Sequence, residues 1–99
     1  MSLEGRTIGL VEDDAIMGES LLQSLGLAGS RVLWWRTGRE AIAGVRERAP
    51  DLVVCDIRLP DSDGGALFRE LARSGPVPPF LFMTAYGSVD EAVALIRAG

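Results

Sequence analysis

The chain has 99 residues and a net charge of −4, with 47% apolar and 24% charged residues, a balance that fits one soluble globular domain with a core of its own. A single cysteine leaves no internal disulfide, in keeping with a reducing cytoplasm, and no signal peptide or apolar run of about 18 residues points to export or a membrane span. All ten basic residues are arginine, none in a block, and histidine is absent; this argues against direct nucleic-acid contact, removes histidine-dependent nucleophilic sites, and leaves oxygen to ligate any magnesium, calcium or manganese.

Residues 1–6 read as a leader or tag-like segment, and the domain begins at Thr7. Thr7-Ile8-Gly9-Leu10-Val11 is a short apolar run and reads as the first strand. Glu12-Asp13-Asp14 follows at once. Three consecutive carboxylates repel one another; a helix amino-terminus offsets part of that, and a bound cation offsets more. From Asp14 the pattern turns helical, with Met17, Leu21 and Leu25 on one stripe and Ala28 close to it. Gly18 and Gly26 weaken this helix by about 1 kcal/mol each relative to alanine, and Gly26 or Gly29 ends it.

Arg31 to Trp35 is the second strand. Trp34 and Trp35 fall on opposite faces, so one of them lies outside the main core or covers a helix; packing, rather than a ligand platform, is their expected use. Thr37-Gly38-Arg39-Glu40 has the spacing of a capping box. Ala41, Ile42, Val45 and Ala49 continue that helix until Pro50 stops it. Leu52-Val53-Val54-Cys55 is a strand buried on both faces, as in a parallel sheet, and it runs into Asp56. Cys55 is a small core residue within it.

Pro60 and Gly64 punctuate the loop after Asp56. Ala66, Leu67, Phe68, Leu71 and Ala72 mark a third helix, closed by Ser74-Gly75-Pro76. Phe80-Leu81-Phe82-Met83 is a fourth buried strand and ends at Thr84-Ala85-Tyr86-Gly87. Ser88-Val89-Asp90-Glu91 is a second capping box, and Ala92, Val93, Leu95 and Ile96 form a fourth helix before Gly99. The order βαβαβαβα, with helical connections between apolar strands, implies right-handed crossovers and a parallel sheet covered on both faces.

Four sequence-distant features then fall at one edge. Glu12 and Asp13 end the first strand, Asp56 the third and Thr84 the fourth. If strands one and three are neighbours, these ends converge in a crevice. Three carboxylates and a hydroxyl suit a hard divalent cation, above all Mg²⁺ with Mn²⁺ as its substitute. A carboxylate facing a phosphoryl group beside such an ion can attack it and form an acyl phosphate. A hydroxyl such as that of Thr84 can hydrogen-bond a phosphoryl oxygen.

Three motifs carry a family resemblance: Val11-Glu12-Asp13-Asp14; Asp56-Ile57-Arg58-Leu59-Pro60-Asp61 with Asp63-Gly64; and Met83-Thr84-Ala85-Tyr86-Gly87-Ser88. In these motifs and their mutual spacing the chain resembles the response-regulator receiver domains of two-component signalling, most closely those of nitrogen-regulator type. The resemblance spans residues 7 to 99. It implies a flavodoxin-like doubly wound sheet of strand order 2-1-3-4, with a fifth strand and fifth helix beyond the fourth helix that this sequence lacks.

The resemblance also implies roles. Asp56 is the phosphoacceptor. Asp13, Asp56 and the backbone carbonyl of Arg58 ligate Mg²⁺ directly, Glu12 acts through water, and Asp14 caps a helix. Thr84, Ala85 and Tyr86 form the switch. The implied partners are a sensor histidine kinase or phosphotransfer protein and an output domain in a longer chain, such as a transcription activator. The chain is then a cytoplasmic phosphoacceptor domain and not an enzyme in its own right.

Three departures from the family pattern stand out. Gly65 replaces a larger apolar residue, which predicts a loose start to the third helix. Trp35 stands where a small residue is common. The family's catalytic lysine belongs to the fifth strand, and this sequence contains no lysine. With strand four at the sheet edge, the chain is expected to dimerise through that edge, to exchange elements with a second copy, or to belong to a longer chain. Two other functions compete with signalling. An aspartyl-phosphate phosphohydrolase would place a second acid two residues after its nucleophile, where this chain has Arg58. A receiver-like interaction module that is never phosphorylated would not need the acids at 12, 13 and 56 or Thr84, but the absence of the lysine keeps that reading open.

Overall fold

The computed structural model describes residues 2–57, 59–61 and 63–83. Its elements are β1 (Thr7–Val11), α1 (Ala15–Leu27), β2 (Arg31–Trp35), α2 (Gly38–Arg48), β3 (Leu52–Asp56), α3 (Gly64–Ser74) and β4 (Phe80–Met83). The strands form one sheet in the order β2-β1-β3-β4, every pair parallel. The doubly wound arrangement expected from the alternating pattern is therefore present. The second capping box and the fourth helix lie outside the described residues.

Strand alternation divides the core in two. Ile8, Leu10, Leu52 and Val54 face one side, where Leu21 and Leu25 of α1 cover them. Val11, Val53 and Cys55 face the other, under Ala41 and Val45 of α2 and Leu67 and Leu71 of α3. The residues ahead of β1 contribute as well. Leu3 is buried in the α1-side cluster, and its carbonyl accepts a hydrogen bond from the Ser30 hydroxyl at 3.0 Å.

The two tryptophans do pack on opposite faces, each in a slot made by glycine. A Cβ on Gly18 would lie 2.1 Å from the Trp34 ring, and one on Gly44 would lie 2.1 Å from the Trp35 ring. Gly18 is thus more than a weak point of α1: its missing side chain is what lets helix and strand approach around an indole.

The helix ends differ from expectation in instructive ways. Thr37 does cap α2, accepting from the Glu40 amide at 3.1 Å. The Glu40 carboxylate, however, reaches past Thr37 to the amide of Arg36 at 2.8 Å, so the reciprocal bond of a capping box is displaced by one residue. Ala49 does not continue α2. It sits in the left-handed region at φ 44°, still donating to the Val45 carbonyl, because the following Pro50 disfavours the helical conformation. The helix α3 starts at Gly64, one residue ahead of Gly65, and the Asp63 side chain caps it by accepting from the Ala66 amide at 2.8 Å.

The strand β4 is less buried than its apolar composition suggests. Phe80, Leu81 and Met83 are half-buried and Phe82 is exposed. Among the described residues β4 pairs only with β3 and stands at the sheet edge, where fewer neighbours reach it. Phe68 of α3 meets Phe80 edge-on, with ring centroids 5.3 Å apart.

Two charged side chains join α2 to its surroundings. Arg46 donates to the Leu71 carbonyl, to the Ser74 hydroxyl at 2.6 Å and to the Pro76 carbonyl at 2.8 Å, placing a cation at the carboxyl end of α3 where it complements the helix dipole. Asp61, in the loop after β3, accepts from the amides of Gly38 and Arg39 at 2.8 and 3.1 Å and so serves the amino-terminus of α2.

Candidate functional site

The register of the sheet builds the site. Val11 pairs with Trp35 on one side and with Cys55 on the other. The residues that follow Val11 and Cys55, Glu12 and Asp56, therefore leave the sheet side by side at its carboxyl edge. Carboxylate oxygens of Glu12, Asp13 and Asp56 all lie within 4.8 Å of one another. They line an open crevice of about 320 Å³ together with Asp14, Met17, Leu59 and Pro60.

Burial sets the electrostatics. Glu12 is only 4% exposed, Asp56 is half-buried and Asp13 is exposed. Burial first, then a side-chain hydrogen bond to Asp56 and the negative charges of Asp56 and Asp13, push the Glu12 carboxyl from 4.5 to about 8. One oxygen of Glu12, Oε2, is buried with no hydrogen-bond partner. An unmatched buried acceptor is costly, and a cation beside Glu12 and Asp56 would satisfy it and favour ionised Glu12. Three oxygen ligands, an orphaned buried oxygen and an open crevice for water match the requirements of Mg²⁺.

Other side chains define what the site is not. Cys55 is buried with its thiol raised to about 12, chiefly by desolvation and then by the charges of Asp56 and Glu12. Its side chain belongs to the core cluster under α2 and α3, and a buried neutral thiol is a poor nucleophile. Asp14 faces the crevice but acts as the cap of α1, accepting from the amides of Ile16 and Met17 at 2.8 and 3.1 Å. The Asp61 carboxyl is held below its ordinary range mainly by the Gly38 amide, which accords with its use as a cap for α2.

Of the residues singled out from the sequence, Glu12, Asp13 and Asp56 come together. Arg58, Thr84, Ala85 and Tyr86 lie outside the described residues; Asp56 pairs with Met83 in the sheet. Gly64 allows α3 to start hard against this edge. Its amide donates to the Ile57 carbonyl at 2.8 Å, and a Cβ there would stand 3.0 Å from both the Asp56 carbonyl oxygen and the Phe82 ring.

The sequence reading missed two supports of the acid pair. The Trp34 indole Nε1 donates to the Glu12 carbonyl at 2.8 Å. The Arg36 guanidinium donates to the Asp13 carbonyl at 2.9 Å. Strand parity puts Trp34 on the α1 face, but only the β1–β2 register brings its ring to the end of β1.

Comparison with known proteins agrees with this arrangement. The family model described as response regulator receiver domain matches residues 8–99. The transcriptional regulatory protein ZraR of Escherichia coli O157:H7 is 43% identical over 91 residues, covering 91% of this chain and 21% of the relative. The luminescence regulatory protein LuxO of Vibrio campbellii is 39% identical over 90 residues, covering 91% of this chain and 20% of the relative. The chain thus spans about a fifth of the length of these curated relatives. Among solved structures, the non-phosphorylated HemR receiver domain from Leptospira biflexa superposes with a TM-score of 0.73 at 39% identity, covering 95% of this chain and 76% of that one. A CheY-like receiver domain protein from Methanospirillum hungatei gives 0.76 at 28% identity, covering 97% and 77%. No helix among the described residues is long and apolar enough to cross a membrane. The family match begins at the second residue of β1 and takes in every strand-end acid of the crevice: the chain belongs to the response regulator receiver domains of two-component signalling.

Proposed function

We propose that Asp56 accepts a phosphoryl group in the presence of Mg²⁺, and that the chain is the phosphoacceptor part of a longer response regulator. The observation that carries this reading is the buried, unpartnered Glu12 Oε2 among three carboxylates whose oxygens lie within 4.8 Å of one another. Asp13, Asp56 and the Arg58 carbonyl would hold the ion, with Glu12 acting through water. When bound, the ion neutralises charge on the phosphoryl oxygens as they approach the acids.

The remaining chemistry belongs to the chain. A carboxylate oxygen of Asp56 attacks phosphorus. The bond from phosphorus to the donor breaks, an imidazole nitrogen when the donor is a phosphohistidine, and the leaving imidazole takes up a proton. An acyl phosphate on Asp56 results. The half-buried position of Asp56 at the crevice keeps one side open to the donor. Thr84 would accept the transferred group as a hydrogen-bond donor, Ala85 would leave it room, and Tyr86 would carry the response into the next helix. A sensor histidine kinase or phosphotransfer protein is the proposed donor, and an output domain, of a transcription-regulating kind as the name of ZraR suggests, the proposed recipient of the response.

Incubation with a small acyl-phosphate donor and Mg²⁺, borohydride trapping and peptide mass spectrometry test this. The label should fall on Asp56, require Mg²⁺, and vanish in Asp56→Asn. A label on Asp61 or Asp63 refutes the assignment. No label at all, in protein that binds Mg²⁺, favours an interaction module that works without phosphorylation.

A further inference from the structure

The loop that carries the acid pair is only three residues long, Glu12 to Asp14, and β2 holds its backbone from outside. The Glu12 amide donates to the Trp35 carbonyl at 3.0 Å. The Glu12 carbonyl accepts from Trp34 Nε1 at 2.8 Å. The Asp13 carbonyl accepts from Arg36 at 2.9 Å. The two side-chain donors brace each other, because Cζ of Arg36 stands 5.3 Å from the centroid of the Trp34 ring, within cation–π range. Gly18 of α1 provides the slot that holds the indole in place. At the far end of the loop Asp14 is fixed as the cap of α1. Each of the three loop residues is therefore tied by at least one hydrogen bond.

We infer that Trp34 and Arg36 are positioning residues for the Mg²⁺ site: by clamping the carbonyls of Glu12 and Asp13 they hold the two acids where a cation can bridge them to Asp56. This rests on the reading that Mg²⁺ binds at these acids. Left untethered, the three-residue loop would be free to move, and binding would have to freeze it again. Ordering a residue's backbone opposes binding, and a preformed loop avoids that loss. The clamp acts through main-chain carbonyls, so neither residue needs to touch the ion.

Mg²⁺ titrations by calorimetry and NMR, at a temperature where each variant is folded, test the inference. In the parent protein the Trp34 indole N–H resonance, identified by its absence from the Trp34→Phe spectrum, should move as Mg²⁺ is added. Trp34→Phe keeps a ring in the slot and removes the donor; it should weaken Mg²⁺ binding by about threefold to tenfold, the range expected for one lost hydrogen bond. Arg36→Gln should also weaken it. Removing a nearby positive charge would by itself tighten cation binding, so a fall in affinity has the opposite sign to simple electrostatics and marks positioning. If Trp34→Phe does not fold, the exposed Arg36→Gln variant decides alone. Parent-like or tighter binding in the folded variants overturns the clamp. A parent protein that does not bind Mg²⁺ overturns the site reading itself and the clamp with it, and shows this without reference to any variant.

Discussion

Replacing Glu12 with Gln should stabilise the metal-free protein at neutral pH. Glu12 is 4% exposed, and its carboxyl is raised from 4.5 to about 8 by burial, by its hydrogen bond to Asp56 and by the charges of Asp56 and Asp13. At pH 7 the folded protein keeps this proton, whereas the unfolded chain has released it. Between pH 4.5 and about 8 the folded state therefore binds more protons, and stability falls as pH rises through that window. Keeping the carboxyl protonated up to pH 7 opposes folding by about 3 kcal/mol as an upper bound. Gln has the same shape, can donate its amide to Asp56 and does not titrate. The variant should gain about 1–3 kcal/mol at pH 7, or roughly 4–20 °C in thermal midpoint, and the gain should shrink toward zero near pH 5. Thermal or urea unfolding from pH 5 to 8.5 with a chelator present measures this. Asp61, held low mainly by the Gly38 amide, titrates below the window, and folded Cys55, at about 12, titrates above it. Parallel pH profiles for parent and variant, or a less stable variant at pH 7, would refute the account of Glu12.

Two substitutions test the packing that positions the site. Gly44→Ala puts a Cβ 2.1 Å from the Trp35 ring, so despite a better helix propensity of about 1 kcal/mol it should destabilise the protein by about 1–3 kcal/mol through overpacking. Urea denaturation reads the change, and unchanged stability would mean that the slot is loose. Ala49→Gly relieves the left-handed backbone at φ 44°, a conformation that opposes folding by about 1–2 kcal/mol for an L-residue. After the extra unfolded-state freedom of glycine, a net gain of about 0.5–1 kcal/mol should remain, seen as a higher urea midpoint with the same slope; a lower midpoint would show that α2 does not end this way in solution.

The alternating apolar runs and the acids at their ends made the architecture legible in one dimension. Strand and helix periodicities are local, and they located every described element. Glu12, Asp13 and Asp56 were legible for the same reason, since strand ends at the carboxyl edge are marked by the run that precedes them. Ala49 and Glu40 departed from their expected places because Pro50 and the Arg36 amide, both just outside the repeating pattern, decided where those groups could bond. The parts that only the tertiary structure decided are contacts across 22 to 30 residues: Trp34 to Glu12, Arg36 to Asp13, Asp61 to Gly38, Arg46 to Pro76. Each depends on the register of β1 between β2 and β3, or on how two crossovers bring helices side by side. The protonation of Glu12 belongs with them. A carboxyl at a strand end is ordinary until the neighbouring strand supplies Asp56 and the core removes the water, and it is that burial, rather than the residue type, that makes Glu12 an acid in need of a cation.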